Sequence, residues 1–232
     1  DLGRFDDVII AIQNIPEAIE ANAEPYRLHA LTLLSQGNIQ ESRSKIQEAT
    51  NINPDWDSIR EAKAIIDYFS SLSPAALPRY TFPQPEPVEY TFVKRDAESL
   101  QRLREAESLF ANLIEDSEES GERYKFRQEW RLACLGNDLE KKSEAEAFCQ
   151  TLLKEDFAHA RAILWAISRN YQVDLSTSQK ALETTVSKLD ASVEQVTVLL
   201  WLYVNQEDYQ NALELLENKK ELFERANLVN YW

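Results

Sequence analysis

The sequence predicts an all-α chain built as a solenoid of antiparallel helix hairpins, interrupted once by a proline-rich extended arm at about residues 73–93. Three observations predict it. The 232 residues include only 4 Gly and are rich in Ala, Leu, Glu, Gln, Lys and Arg, the residues that lose least on entering a helix. A short pattern recurs: Gly3-Arg4-Phe5-Asp6-Asp7-Val8 and Gly37-Asn38-Ile39-Gln40-Glu41-Ser42 are spaced 37 − 3 = 34 residues apart, and each opens an amphipathic helix. Five of the chain's 8 Pro fall between Ser73 and Val93, where a helix cannot run.

Taken in order, the elements divide into three parts. Residues 1–72 hold the first copies of the pattern, beginning with Gly3, Phe5, Val8, Ile12 and Ile15 in the places held later by Gly37, Ile39, Ser42, Ile46 and Ala49. That first copy lacks a partner helix, and a lone second helix would leave its apolar face uncovered. The chain also has no Met. Both facts read as a fragment cut from a longer protein. The next copy is complete: Tyr26, His29, Ala30 and Leu33 precede Gly37, and Ile39, Ser42, Ile46, Ala49 and Pro54 follow. Ala30 and Ser42 are small where two helices are expected to touch, and the larger residues fill around them. Pro25 opens one helix and Pro54 stops the other.

Residues 73–93 form the second part. Arg79-Tyr80-Thr81-Phe82 and Glu89-Tyr90-Thr91-Phe92 repeat the same Tyr-Thr-Phe around the central prolines. Aromatics this dense argue against a free linker; an extended arm pinned by Tyr80, Phe82, Tyr90 and Phe92, or a short two-stranded hairpin, would bury them.

Residues 94–232 form the third part. With the last stretch before the arm, helices are expected at about 57–72, 95–116, 122–136, 140–154, 157–172, 176–188, 192–205 and 208–220. The best copy here runs through Val196, Leu199, Leu200 and Tyr203, the turn Asn205-Gln206-Glu207-Asp208, then Tyr209, Ala212 and Leu216; Glu207 stands where the turn glycine would be. Glu221 to Trp232 reads as the start of a further helix. No clean period runs through Cys134, Phe148 or Trp165.

The copy around Gly37, with Tyr26, Ala30, Leu33, Ile39, Ser42, Ile46, Ala49 and Pro54, resembles the tetratricopeptide repeat; residues 23–56 and 193–224 carry the likeness best and 1–20 carry part of it. The resemblance implies a right-handed superhelix whose first helices line a groove that takes an extended or helical peptide. Carried over by position, the groove residues would be Arg27, Leu31, Leu34 and Ser35, with Trp56 entering from the following helix, and Thr197, Trp201, Val204 and Asn205 in the last copy. Trp56 and Trp201 are read equally well as packing residues between repeats. The branch of the family that clamps a terminal carboxylate uses an Asn where Leu31 and Trp201 stand, so that branch is disfavoured.

Composition and motifs exclude other classes. The formal charge of −15, from 25 basic and 40 acidic side chains, repels nucleic acid and anionic lipid and draws basic partners. No apolar run approaches the ~20 residues of a membrane span, and no signal-peptide pattern opens the chain, so a cytoplasmic protein is expected. No phosphate loop, Gly-x-Ser-x-Gly, His-Glu-x-x-His or Cys-x-x-Cys occurs, so no enzyme, metal or cofactor is expected. His29 and His159 are isolated. Cys134 and Cys149 read as buried thiols on two helices of one hairpin, and Glu115-Asp116-Ser117-Glu118-Glu119-Ser120 lacks the ligand spacing of a calcium loop. The expected function is therefore a protein–protein interaction scaffold, or alternatively the sensor region of a larger signalling or ATPase-type protein that contacts its own other domains.

Overall fold

The computed structural model describes residue 10 and residues 22–72, 95–117, 121–188 and 191–225; the arm with Tyr80, Phe82, Tyr90 and Phe92, and the copy at Gly3 to Ile15, lie outside the described residues. Among the described residues all regular structure is helical, with no strand. The chain divides into two compact units, Asp1–Lys141 and Lys142–Trp232.

Unit 1 contains α1 (Ala23–Ser35), α2 (Ile39–Ile52), α3 (Asp57–Ser70), α4 (Ala97–Glu115), α5 (Glu122–Asn137) and a 3-10 turn at Leu139–Lys141. Asn22 caps α1 by accepting from the Glu24 amide at 3.0 Å, and Asp96 caps α4 by accepting from Ser99 at 2.7 Å. Each helix packs on the next, and α1 also touches α3. Ala30 and Ser42 have no exposed surface, and the Ser42 hydroxyl donates to the Ala30 carbonyl at 2.7 Å. Two small residues let the backbones of α1 and α2 approach, and the hydroxyl turns that approach into a hydrogen bond. The core of the unit is aromatic: Trp130 of α5 meets Tyr68 at 5.1 Å and Phe69 at 5.5 Å edge-on, and lies nearly parallel to Phe110 of α4 at 5.9 Å.

Unit 2 contains α6 (Lys142–Glu155), α7 (Ala160–Arg169), α8 (Ser176–Val186), α9 (Val193–Asn205), α10 (Tyr209–Asn218) and α11 (Lys220–Arg225). Here α9 packs on α8 and α10 and also touches α7, the same skip of one helix seen between α1 and α3. A capping box opens α9, with Ser192 and Gln195 bonded reciprocally at 3.1 Å. The buried small residues keep step. Ser178 stands as far from Ala166 as Ser42 does from Ala30, and Ala212 as far from Leu200; these four are 1–5% exposed.

The turns of the two best copies share one geometry. Gly37 donates to Leu34 and Asn38 to Leu33, both at 2.9 Å; Glu207 donates to Val204 at 3.1 Å and Asp208 to Tyr203 at 2.9 Å. Gly37 has φ +79°, whereas Glu207 adopts φ +60° with a side chain, a left-handed conformation that costs about 1–2 kcal/mol outside glycine. Glu207→Gly is expected to stabilise unit 2 by about 1 kcal/mol in chemical denaturation, part of the strain relief being offset by the greater freedom of glycine in the unfolded chain. A loss of stability would show that the turn is not under strain.

Candidate functional site

The surface available to a partner follows from which positions of each helix the neighbours leave open. On α9, Val196, Leu199, Leu200 and Tyr203 face inward, and Val198 and Leu202 are buried as well. What remains is a stripe at helical spacing: Thr197 half-buried, Trp201 43% exposed, Val204 40% exposed, and Asn205, whose amide turns back to donate to the Trp201 carbonyl at 2.8 Å. The sequence-expected residues of the last copy therefore share one face of one helix.

The residues of the first copy are less uniform. Arg27 folds along its own helix to bind Glu24 through two bonds, 2.7 and 2.6 Å, and is half-buried. Leu31 is half-buried, and the Ser35 hydroxyl donates to the Thr32 carbonyl at 2.6 Å. Leu34, expected on the groove, is instead buried, because it lies on the side of α1 that the unit covers. Trp56 stands at the start of α3 and is 43% exposed, with Leu28 and Ile52 exposed as well. Those two were not singled out from the sequence, since single exposed aliphatics carry no pattern there.

In unit 2 the sequence reading also missed Tyr209 and Leu213 on α10, about three-fifths exposed, although Tyr209 occupies the position that Ile39 half-buries in α2. Trp165 is fully packed and carries the Arg169 guanidinium 5.2 Å over its ring.

The titratable groups set aside in the sequence have structural surroundings. The His159 ring caps α7, its Nδ1 accepting from the Ala162 amide at 3.4 Å, and burial followed by the Lys45 charge holds His29 below the usual histidine range. Among the described residues no group of His, Cys, Asp and Glu is placed to hold a metal ion. Burial pushes the Cys149 thiol up to about 12, with Glu146 adding to it, and its sulfur donates to the Ala162 carbonyl at 3.2 Å; burial raises Cys134 well above the usual thiol range. Since the thiolate is the nucleophile, iodoacetamide at pH 8 is expected to leave both cysteines unmodified in the folded protein and to alkylate both in denaturant, as mass spectrometry would count. Modification of either in the native state on the denatured timescale would contradict this.

No family model matches the chain, and neither does any curated protein or solved structure.

Proposed function

We propose that the chain is a tetratricopeptide-like interaction module, in which paired helices form a superhelical array and the outer face of α9 receives an extended or helical segment of another protein. The observation that carries this reading is the Thr197, Trp201, Val204 stripe: a Trp and a Val are about two-fifths exposed on a helix whose Val196, Val198, Leu199, Leu200, Leu202 and Tyr203 are buried. A partly exposed Trp is the residue type most often found at the energetic centre of an interface. Helix packing supports the array, since α1 contacts both α2 and α3, and α9 contacts α8 and reaches past it to α7. The module works by binding, without catalysis, metal or cofactor, and the net charge of −15 favours partners that are basic. No helix among the described residues is long and apolar enough to cross a membrane, and a cytoplasmic setting suits a chain with two buried free thiols.

Peptides selected from a random display library against the whole chain test this directly. The reading expects selected peptides enriched in Lys and Arg, whose affinity falls about tenfold or more on Trp201→Ala and weakens as ionic strength rises past ~0.1 M, where the Debye length is ~10 Å. Selected peptides whose binding ignores Trp201→Ala would place the interface elsewhere, and binding indifferent to salt would remove the acidic surface from recognition.

A further inference from the structure

On the side of α9 opposite Trp201, a cleft of about 410 Å³ opens between α8, α9 and α10. Its lining residues include the apolar Val186, Leu199 and Leu215 and the carboxylates Glu183 from α8 and Glu214 from α10. The Tyr203 hydroxyl donates to Glu183 at 3.1 Å, and the Gln179 amide donates to the same oxygen at 3.0 Å, so that carboxylate is held in place. Lys219 also lines the cleft, yet its ammonium donates to the Lys188 carbonyl at 3.2 Å. Among the described residues no ion pair joins Glu183 or Glu214 to any cation. Two carboxylates against the single Lys219 ammonium leave the lining net negative, and the Tyr203 phenol is pushed up to about 12, by burial first, then by its bond to Glu183 and the charges of Glu183, Asp208 and Glu214.

We propose that this cleft takes an arginine side chain presented by a partner segment. An arginine fits because its aliphatic stem can lie on the half-buried Leu215, above the buried Val186 and Leu199, while the guanidinium, with five donors in a fixed fork, is suited to carboxylates on two different helices. A single ammonium could not serve both carboxylates as well. The inference rests on the chain being a binding module, but it concerns a second contact, separate from the outer face of α9.

Titration of the isotope-labelled chain with N-acetyl-arginine methylamide, followed by NMR, tests it. Saturable amide shifts are expected at Leu199, Tyr203 and Leu215, with affinity about tenfold lower in Glu214→Gln and no saturable response to the citrulline analogue, which keeps the shape and loses the charge. Glu214 is exposed and accepts no hydrogen bond among the described residues, so that variant is expected to fold. Trp201→Ala should leave these shifts intact while weakening selected peptides, which separates failure of the cleft from failure of the α9 face. Shifts that spread without saturation, an equal response to citrulline, or an unchanged Glu214→Gln would each overturn the assignment.

Discussion

Replacing Trp130 by alanine is expected to remove about 4 kcal/mol from the stability of unit 1, the largest single effect anticipated in this protein. Trp130 is 1% exposed and meets rings from α3, α4 and its own helix: Tyr68, Phe69, Phe110 and Phe126, all with centroids within 6.0 Å. Truncation loses the transfer energy of the indole and opens a cavity ringed by four aromatics too large to rotate into it, so little of the void can close. Offset and edge-on ring pairs add about 0.5–1.5 kcal/mol each beyond area burial, although such terms are not additive. Trp130→Phe keeps much of the ring stack and should lose less than half as much. Chemical denaturation monitored by helical circular dichroism reads both. A Trp130→Ala loss under about 1 kcal/mol would mean that the aromatic cluster does not hold α3, α4 and α5 together.

Arg127→Met is expected to cost about 3 kcal/mol, the second largest effect. The guanidinium of Arg127 is 5% exposed and joins three helices: its Nε donates to Glu61 at 3.0 Å, one Nη to Asp57 at 3.0 Å, and the other to the Leu113 carbonyl at 2.9 Å and the Ser117 hydroxyl at 2.7 Å. Methionine fills a similar volume, so the loss measures polar contacts more than cavity. Glu61, with 18% of its side chain exposed, would keep only its 3.2 Å contact to Arg123, whereas Asp57 at 44% can turn to water. That partial rescue by solvent keeps the expected loss at the lower end of the range for breaking a buried ion pair. Arg127→Lys restores the charge without the fork, and should recover less than half of the loss because an ammonium cannot reach all four acceptors. Full recovery with lysine would show that charge alone, and not the shape of the guanidinium, matters there.

These two residues mark where the sequence was legible and where it was not. Helix positions follow from periodicity, so α3, α4, α5, α9 and α10 lie within a few residues of their expected spans. The Ala30–Ser42 contact was legible because small residues at that spacing have one obvious use, and the buried hydroxyl bond follows from it. Arg127 gave no such signal: a charged residue on a helix reads as solvated surface, and only the end of α4, brought close by the fold, supplies the carbonyl it satisfies. The step between α7 and α9 was hidden for a different reason. Between α7 and α8 there is no turn glycine; Asn170 takes the left-handed cap with φ +50°, and the irregular residues after it shift the visible landmark, although Ala166 and Ser178 are both buried and keep the sequence separation of Ala30 and Ser42. On the candidate site, the α9 stripe was legible by position, but the burial of Leu34 and the exposure of Tyr209 and Leu213 depend on which neighbours cover them, which periodicity does not carry.

The contacts of α9 have a consequence for how unit 2 moves. It is braced on three sides, by α7, α8 and α10, whereas α10 contributes only Ala212 to the fully buried set. Amide hydrogen exchange should therefore be slowest in α9 and fast in α10, which can open locally at little cost while its neighbour stays closed. A segment docking beside Trp201 would meet a helix already held rigid, so the surface itself would surrender little freedom, and the entropy of association would fall mainly on the incoming partner.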